Sequence, residues 1–474
     1  MKIMRVIIVV LLLVLIGGSV SVEATRTIVL PANLPWSKEV VDSTPYTQTG
    51  QYVSIAHHPI SGAAYISYYN AEYESLYMAR EVSDGTGDCY GNDGWDCTVV
   101  SYGGDVGRYS SIDVDWVVPG LPEIPYTKVG ISFFDADQKS LMYAELRKTA
   151  GDWTDWTIQE VDDYDDWDVR GTYSSLKFNS DHDPIIAYHY ITILDDLNLG
   201  GVKIASYNSD ETGYGCYYGA DSLNWDCERV SSYPYDVDYG SHVSLDLSYD
   251  DTVHLAFYDS INSKLVWAYL VEPGEQGSCN YDNWDCITVD NNGDVGKFVS
   301  IHAPKNTADK LRFAYFDNVS TMGKLKYAVR ATSGGNCTST LFNCFAVDDI
   351  GNPLGHIGLS ITVDNQGYPI IAYMDSSSDT SATKLKVARP ALAYWNTVGN
   401  CGGVPPGGSS QYWQCELLDP GYRDIVNEAA FADVSVSPDG LASIAYYEYD
   451  SYGDVGRLKV AQQRYMIYLP LILK

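Results

Sequence analysis

Three strand-like patterns recur in a fixed order along the chain, seven times between residues 54 and 461. The first pairs serine with an aliphatic residue, as at Ser54-Ile55. The second alternates aliphatic, small and aromatic residues and ends in an acid or amide, as at residues 66–70 (ISYYN). The third resembles residues 76–79 (LYMA). Alternation of branched or aromatic residues with small or polar ones is typical of β-strands, and repeats of this length predict a repeat architecture.

Each pattern can be followed through all seven copies. The first strands are anchored at Ser54, Ser111, Ser175, Ser244, Ser300, Ser360 and the variant Asp433. The second strands are expected at residues 66–70, 131–135, 186–190, 255–259, 313–317, 371–375 and 444–448. The third are expected at residues 76–79, 141–144, 202–205, 265–268, 325–328, 385–388 and 458–461.

A fourth strand that starts with an aromatic residue is found in only six copies, at Trp95, Trp156, Trp225, Trp284, Phe342 and Trp413. The missing copy lies at the other end of the chain, where residues 36–41 (WSKEVV) have the same pattern. An N-terminal strand that completes the last repeat closes a ring, whereas an open solenoid needs polar capping repeats instead. The sequence therefore predicts an all-β protein: a seven-bladed β-propeller of four-stranded blades over residues 25–463, closed by its N-terminal strand.

Residues 104–112 (GDVGRYSSI) and 293–301 (GDVGKFVSI) resemble the Asp-Val-Gly repeats of exported bacterial and archaeal β-propeller proteins, as do the Ser-Leu, Tyr-Tyr-Asp and Leu-Lys-Tyr-Ala patterns. The resemblance covers nearly the whole mature chain. It implies an exported propeller and assigns no chemistry. The copies at residues 168–170 and 236–238 lack the second glycine of the motif, so we expect remodelled loops there.

Both ends of the chain depart from the repeat. Lys2 and Arg5 precede an apolar run over residues 6–16, and Val22-Glu23-Ala24 fits a signal peptidase site. We therefore expect residues 1–24 to be a signal peptide and the protein to be secreted or held at the cell surface. The apolar run is too short to span a bilayer, although an uncleaved anchor is the alternative. Residues 464–474 form an apolar tail, either a sorting signal or a strand packed on the propeller.

The charge of the chain limits its partners. Thirty basic and 62 acidic residues give a formal net charge of −32. Because binding to nucleic acid depends on Lys and Arg contacts to phosphate, we expect no nucleic-acid partner. With 40 Tyr and 11 Trp the composition is not that of a disordered chain. It is typical of a Tyr-rich β-protein in an extracellular medium.

The ten cysteines form five neighbouring pairs: Cys89 with Cys97, Cys216 with Cys227, Cys279 with Cys286, Cys337 with Cys344, and Cys401 with Cys415. Their spacing does not suit zinc, which needs closer ligand pairs. Local disulfides in an exported chain are the better interpretation. Because each pair flanks the turn between third and fourth strands, we predict five disulfides within blades, on the face opposite the acidic loops.

Acidic residues recur where second strands end and where one blade joins the next. A ring of these carboxylates could bind Ca²⁺, a cationic ligand or sugar hydroxyls. The alternative is structural, because aspartate at a strand end stabilises a turn in every blade. The candidates for ligand or metal binding are Asp105, Asp135, Asp259, Asp294, Asp317, Asp375, Glu448 and the histidine that breaks the repeat, His189. His356, Arg108, Arg170 and Arg423 approach the same face.

The sequence contains no catalytic motif that we could assign. The Ser-x-Asp-x-Gly-x-Thr-Trp box of sialidases is absent. We therefore predict a non-catalytic, exported propeller whose loops bind an extracellular carbohydrate or protein, with the ligand on the face of the acidic loops. The alternative is a glycoside hydrolase or lyase that acts on polysaccharide through carboxylates at the channel face.

Overall fold

The computed structural model describes residues 34–464, with gaps at 121, 150–152, 164–167, 195–196, 217–221, 272–274, 282, 319–322, 352–357, 376–383, 392–397, 404–411, 422–429, 451–452 and 454. The described strands form seven four-stranded antiparallel sheets, which are the blades of a β-propeller. The described residues include one short 3-10 helix, Ser222–Asn224. The predicted fold class is confirmed.

The first four blades each use four consecutive strands. Blade 1 contains β2 (Thr49–His57), β3 (Ala64–Asn70), β4 (Ser75–Glu81) and β5 (Trp95–Ser101). Blade 2 contains β6 (Val106–Val117), β7 (Tyr126–Asp135), β8 (Ser140–Lys148) and β9 (Thr157–Asp162). Blade 3 contains β10 (Val169–Phe178), β11 (Pro184–Leu194), β12 (Leu197–Tyr207) and β13 (Trp225–Pro234). Blade 4 contains β14 (Ser244–Leu247), β15 (Val253–Asp259), β16 (Lys264–Leu270) and β17 (Trp284–Asp290).

Blades 5 and 6 continue the pattern, and blade 7 differs. Blade 5 contains β18 (Val295–His302), β19 (Arg312–Asp317), β20 (Gly323–Arg330) and β21 (Phe342–Gly351). Blade 6 contains β22 (Leu359–Val363), β23 (Pro369–Asp375), β24 (Lys384–Pro390) and β25 (Trp413–Asp419). Blade 7 contains β26 (Ala432–Val436), β27 (Ala442–Asp450), β28 (Val455–Gln463) and, as its outer strand, β1 (Trp36–Asp42).

The ring closes where β1 pairs antiparallel with β28. Trp36 lies opposite Gln463 and Asp42 lies opposite Leu458. The predicted completion of the last blade by the N-terminal strand is thus confirmed. The predicted signal peptide, residues 1–24, and the tail after Arg464 lie outside the described residues.

All five predicted disulfides are present, and each bond lies within one blade. Their Cα–Cα separations run from 4.8 Å for Cys89–Cys97 to 5.9 Å for Cys401–Cys415. Each bond closes the loop before a fourth strand. Loops this short stabilise the fold by about 2–3 kcal/mol each in the chain-entropy model.

The antiparallel order of the strands gives the propeller two distinct faces. The disulfide face carries the turns between first and second strands and the loops between third and fourth strands. The acidic face carries the loops between second and third strands and the loops that join one blade to the next. The cysteine pairs and the predicted acidic candidates therefore lie on opposite faces, as expected.

A glycine of positive φ keeps the start of the first strand close to the preceding blade. At Gly107, φ is 113°, and an added Cβ would lie 2.7 Å from Leu76 Cβ. Residues 168–170 and 236–238 lack this glycine. A glycine of positive φ follows slightly later instead, as Gly171 (φ 103°) and Gly240 (φ 86°). The loops before these strands are longer than the loop before β6, which agrees with the remodelled loops expected there.

Candidate functional site

The repeated serine of the first strands joins neighbouring blades around the central channel. The backbone N–H of Ile112 donates to Ser54 Oγ at 3.3 Å, and the same bond recurs from Leu176 to Ser111, from Leu245 to Ser175, from Ile301 to Ser244 and from Ile361 to Ser300. Asp433 takes the place of serine in blade 7. It accepts Ile55 N–H at 2.8 Å and the hydroxyls of Ser54 and Ser360 at 2.9 and 2.6 Å. The serine repeat is therefore structural.

A cavity of about 1230 Å³, here called the channel cavity, occupies the centre of the ring. First strands of all seven blades line it. Its wall extends to first turns on the disulfide face, including Pro59, Asp251, Asn365 and Pro438. We predicted the ligand on the acidic face, whereas the wall of this cavity extends to the disulfide face.

The residue two positions after each anchor serine faces the same cavity, since side chains of a strand alternate between its two sides. These seven positions, here called the channel ring, are Ala56, Asp113, Lys177, Asp246, His302, Thr362 and Ser435. The anchor is serine in six blades, whereas the seven channel-ring positions hold six different residue types, and only aspartate occurs twice. Equivalent positions of different blades thus bring two acids, a lysine and a histidine into one cavity.

Lys177 is the cation of the channel ring. Its backbone pairs with Ile185, but its side chain forms no hydrogen bond and no ion pair within 4 Å with the residues that the structure describes. Burial favours the neutral amine, but the charges of Asp113, Asp246 and Asp433 outweigh burial and raise the pKa of Lys177. The side chain therefore places an ammonium group in the cavity, with its donors available to a ligand.

The two acids of the channel ring have opposite electrostatic environments. Burial raises the pKa of Asp113, which accepts the backbone N–H groups of Phe178 and Val114. Burial would also raise the pKa of Asp246, but Lys305, Lys177 and His302 outweigh it and the pKa is lowered. Lys305 Nζ lies 2.6 Å from Asp246 Oδ1.

His302 continues this network toward the rim of the cavity. Its Nε2 lies 2.8 Å from Asp309 Oδ2, and its Nδ1 lies 3.9 Å from Asp246 Oδ2. Arg312 forms an ion pair with Asp309 and donates to the carbonyl of Gly367 at 2.8 Å. Blade 5 therefore holds a fixed array of charges at one side of the cavity.

The channel narrows toward the acidic face at a ring of six aromatic side chains. They occupy the position two residues before the anchor: Tyr52, Tyr109, Tyr173, His242, Phe298 and Phe431, here called the aromatic ring. Blade 6 has Gly358 at this position. Neighbouring ring centroids are 4.8 Å apart for Tyr52–Tyr109 and Tyr109–Tyr173, and 4.2 Å apart for His242–Phe298.

None of the eight candidates predicted from sequence lines the channel cavity or the smaller cavity at the aromatic ring. Asp105 accepts the Tyr69 hydroxyl at 2.7 Å and pairs with Arg108. Asp294 accepts the Tyr258 hydroxyl at 2.6 Å and pairs with Lys297 at 2.9 Å. Both acids thus tie a loop between blades to the preceding blade.

The acids that end second strands are also held by nearby groups. Asp135 accepts the N–H groups of Asp137 and Gln138, and Asp259 accepts that of Asn262. The remaining three pair with lysine: Asp317 with Lys326 at 3.8 Å, Asp375 with Lys386 at 2.8 Å and Glu448 with Lys459 at 2.8 Å. Their role as ligands stays a prediction.

His189 is buried and hydrogen-bonded through both ring nitrogens. Its Nδ1 lies 2.9 Å from Thr172 Oγ1, and its Nε2 lies 2.9 Å from the carbonyl of Val237. Burial lowers its pKa to about 4. Of the other residues noted on this face, His356 and Arg423 lie outside the described residues. Arg170 is buried against Asp168, with an Nη2–Oδ2 distance of 2.6 Å.

Among the residues that the structure describes, no group of three or more His, Cys, Asp and Glu side chains is arranged to hold a metal ion. No described helix is long and apolar enough to cross a membrane. Calcium binding therefore has no site among these residues that we can name.

Sequence reasoning missed the channel ring. The signal was present, because Asp113, Lys177 and Asp246 each follow an anchor serine by two residues. Strand alternation places these side chains beside the serine in the channel. Acids are frequent at strand ends and drew the prediction there, whereas a charged residue in a first strand is the exception.

The chain matches no known protein family and no curated protein sequence. Similar solved structures include AofleA from Arthrobotrys oligospora, with 11% identity, a TM-score of 0.38 and coverage of 90% of this chain and 86% of that one. The α-L-arabinofuranosidase Arb93A from Fusarium graminearum, in complex with an iminosugar inhibitor, has 9% identity, a TM-score of 0.36 and coverage of 90% and 97%. At such TM-scores the likeness carries no argument about function.

Proposed function

We propose that the protein is exported and binds an extracellular carbohydrate in the channel cavity without transforming it. The observation that carries this proposal is that the residue type at the channel-ring position changes from blade to blade. A side chain that only builds blades recurs from blade to blade, as the anchor serine does in six of the seven. A ligand without sevenfold symmetry needs different groups at different positions, and Asp113, Lys177 and Asp246 supply them.

The chemistry of the cavity suits a neutral, hydroxyl-rich ligand. Lys177 offers side-chain donors that no described residue uses. The carboxylate oxygens of Asp113 and Asp246 already accept backbone N–H groups, and Asp246 Oδ1 also accepts from Lys305. Both oxygens of Asp113 and Oδ2 of Asp246 still keep a lone pair that can accept from a ligand. Sugar hydroxyls both donate and accept hydrogen bonds, so they match this mixed set of groups. The five disulfides are consistent with an extracellular protein.

The test is a glycan array probed with the purified mature protein, followed by calorimetry on each glycan that binds. Replacing Lys177 by Met should weaken binding about tenfold or more, because a charge-assisted hydrogen bond is lost. The matched control is Asp294→Asn on the acidic face, which should bind like the wild type. Loss of binding in Asp294→Asn but not in Lys177→Met would place the ligand on the acidic face instead. A protein ligand would give no glycan signal.

A second candidate function is a polysaccharide-acting hydrolase. It is favoured by two carboxyl groups that line one cavity in different electrostatic environments, since the pKa of Asp113 is raised by burial and that of Asp246 is lowered by its cationic neighbours. A glycosidase likewise gives different roles to its two carboxyl groups. Turnover of a polysaccharide panel that disappears in Asp113→Asn would establish this function. Binding without turnover would exclude it for the polysaccharides in the panel.

A further inference from the structure

A second cavity of about 210 Å³, here called the inner chamber, lies between the aromatic ring and the channel cavity. The two cavities share wall residues, including Val53, Val243 and Leu359, so the inner chamber is the deep end of the channel. If the side chains of the aromatic ring served packing alone, they would fill this space. Instead, a chamber large enough for a single sugar ring remains.

The inner chamber is less polar than the channel cavity. The aromatic ring lines it together with Val53, Val243 and Val299, whose side chains also pack in the apolar cores of the blades. The hydroxyls there already have partners. Ser110 Oγ donates to the carbonyl of Tyr52 at 2.7 Å, and Ser174 Oγ donates to that of Tyr109 at 2.8 Å. Water in such a chamber finds few partners, so its displacement by a C–H surface is favourable.

The backbone is bent specifically to bring the aromatic side chains into the channel. Five members of the aromatic ring have positive φ, between 50° and 57°: Tyr52, Tyr109, Tyr173, His242 and Phe298. In blade 2 the pairing of β6 with β7 shifts register between Arg108 and Ser111, around Tyr109. Non-glycine residues seldom adopt this conformation, and here it recurs with one result, an aromatic end to the channel.

We propose that the inner chamber is a subsite for the terminal sugar residue of a glycan, whose C–H face stacks on the aromatic ring. This inference rests on the proposed function. Sugar rings carry an apolar C–H face beside their hydroxyls, and aromatic surfaces suit such faces. Lys177 and Asp246 then bind the polar groups of the same glycan nearer the mouth. Because the aromatic ring narrows the channel at the end farthest from the mouth, the site would accommodate the end of a glycan chain and not a residue within it.

The test uses the full mature protein and a glycan identified on the array. Tyr109→Leu removes the aromatic face but keeps an apolar side chain, and Tyr109→Phe keeps the face. We expect Tyr109→Leu to weaken binding about fivefold to tenfold and Tyr109→Phe to bind within about twofold of the wild type. Tyr102→Leu is the surface control, since Tyr102 is 80% exposed on the acidic face. Saturation-transfer NMR, with the aromatic protons irradiated, should label the C–H protons of the terminal sugar.

The outcomes separate this inference from the proposed function. If Lys177→Met weakens binding but Tyr109→Leu does not, and the terminal sugar gains no saturation, the channel cavity binds the glycan and the subsite is wrong. If a glycan without a free end, such as a cyclic oligosaccharide, binds as well as its linear form, end recognition is also wrong. If no glycan binds, the proposed function fails and this inference fails with it. A Tyr109→Leu protein that does not fold is replaced by Tyr173→Leu, read against Tyr173→Phe.

Discussion

The hydroxyl of Tyr315 in blade 5 donates a 2.7 Å hydrogen bond to the carboxylate of Asp290, the last residue of blade 4. Lys326 of blade 5 donates to the same carboxylate. The tyrosine–aspartate bond recurs at four other seams between blades: Tyr68 with Asp42, Tyr188 with Asp162, Tyr373 with Asp348 and Tyr446 with Asp419. This buried bond is thus a general connection between blades.

At two junctions between blades, the aspartate, the tyrosine and the lysine are all replaced. Where blade 1 meets blade 2, the aspartate position holds Ser101, the tyrosine position holds Phe133 and the lysine position holds Met142. Where blade 3 meets blade 4, the residues are Ser231, Phe257 and Val266. The joint change follows from the cost of burying a polar group whose partner is missing.

We therefore predict that Asp290→Ser alone lowers the free energy of unfolding by about 3–5 kcal/mol, because it leaves the Lys326 ammonium buried without its closest partner. The triple variant Asp290→Ser, Tyr315→Phe, Lys326→Met copies the seam between blades 1 and 2. It should recover most of the loss, since apolar replacements of a buried ion pair are often neutral. Denaturant titration of both variants is the measurement. A triple variant no more stable than the single one would contradict this account.

A glycine pair separates backbone strain from close packing. Gly296 has φ of 109°, and its Cβ would lie 2.9 Å from Leu265 Cα, whereas Gly367 has φ of 81° and open space around it. Gly367→Ala should cost about 1 kcal/mol from backbone conformation alone. Gly296→Ala should cost about 2–4 kcal/mol, because strand β18 must move away from blade 4. Equal melting temperatures for the two variants would show that the close approach is not needed.

His189 makes stability depend on pH. Its folded pKa, about 4, lies below the ordinary value of 6.5, so the unfolded chain takes up a proton first as the pH falls. Stability is therefore complete above pH 6.5 and decreases between pH 6.5 and 4, by roughly 3 kcal/mol at most from this residue. His189→Gln, whose amide can bond Thr172 and Val237, should have a shallower slope over this interval. Parallel stability–pH curves for the two proteins would refute the prediction.

Closure of the ring gives a further test. Val41 of β1 is fully buried, whereas Ser37 of the same strand is partly exposed. Val41→Asp should destabilise the protein by about 3 kcal/mol or more, because a charge is buried without a partner, and should expose the edge of β28 to association. Ser37→Asp should have little effect. Light scattering and thermal unfolding of the two variants measure both consequences.

The architecture was predictable because each blade repeats the same requirements. Serine must accept an N–H of the next blade, as Ser54 does from Ile112, and the buried tryptophan must start a fourth strand, as Trp284 does. Because these residues recur in most blades, they can be recognised from a single sequence. The channel ring was harder to recognise, because Asp113, Lys177 and Asp246 are far apart in sequence and come together in one cavity only when the ring closes. The chamber at Tyr109 likewise depends on a local backbone bend that the residue types do not reveal.

The disulfides should stabilise individual blades and not the ring as a whole. Blade 2 has no disulfide, because Ile158 stands where blades 1 and 3–6 have the second cysteine of a pair. Its hairpin of Ser140–Lys148 and Thr157–Asp162 is therefore an internal control. Reduction should lower hydrogen-exchange protection in the third and fourth strands of blades 1 and 3–6, by about 2–3 kcal/mol in opening free energy. Protection in blade 2 should change little, because its loop loses no cross-link. If reduction instead lowers protection equally in every blade, the bonds stabilise one cooperative unit, and the idea of separately stabilised blades is wrong.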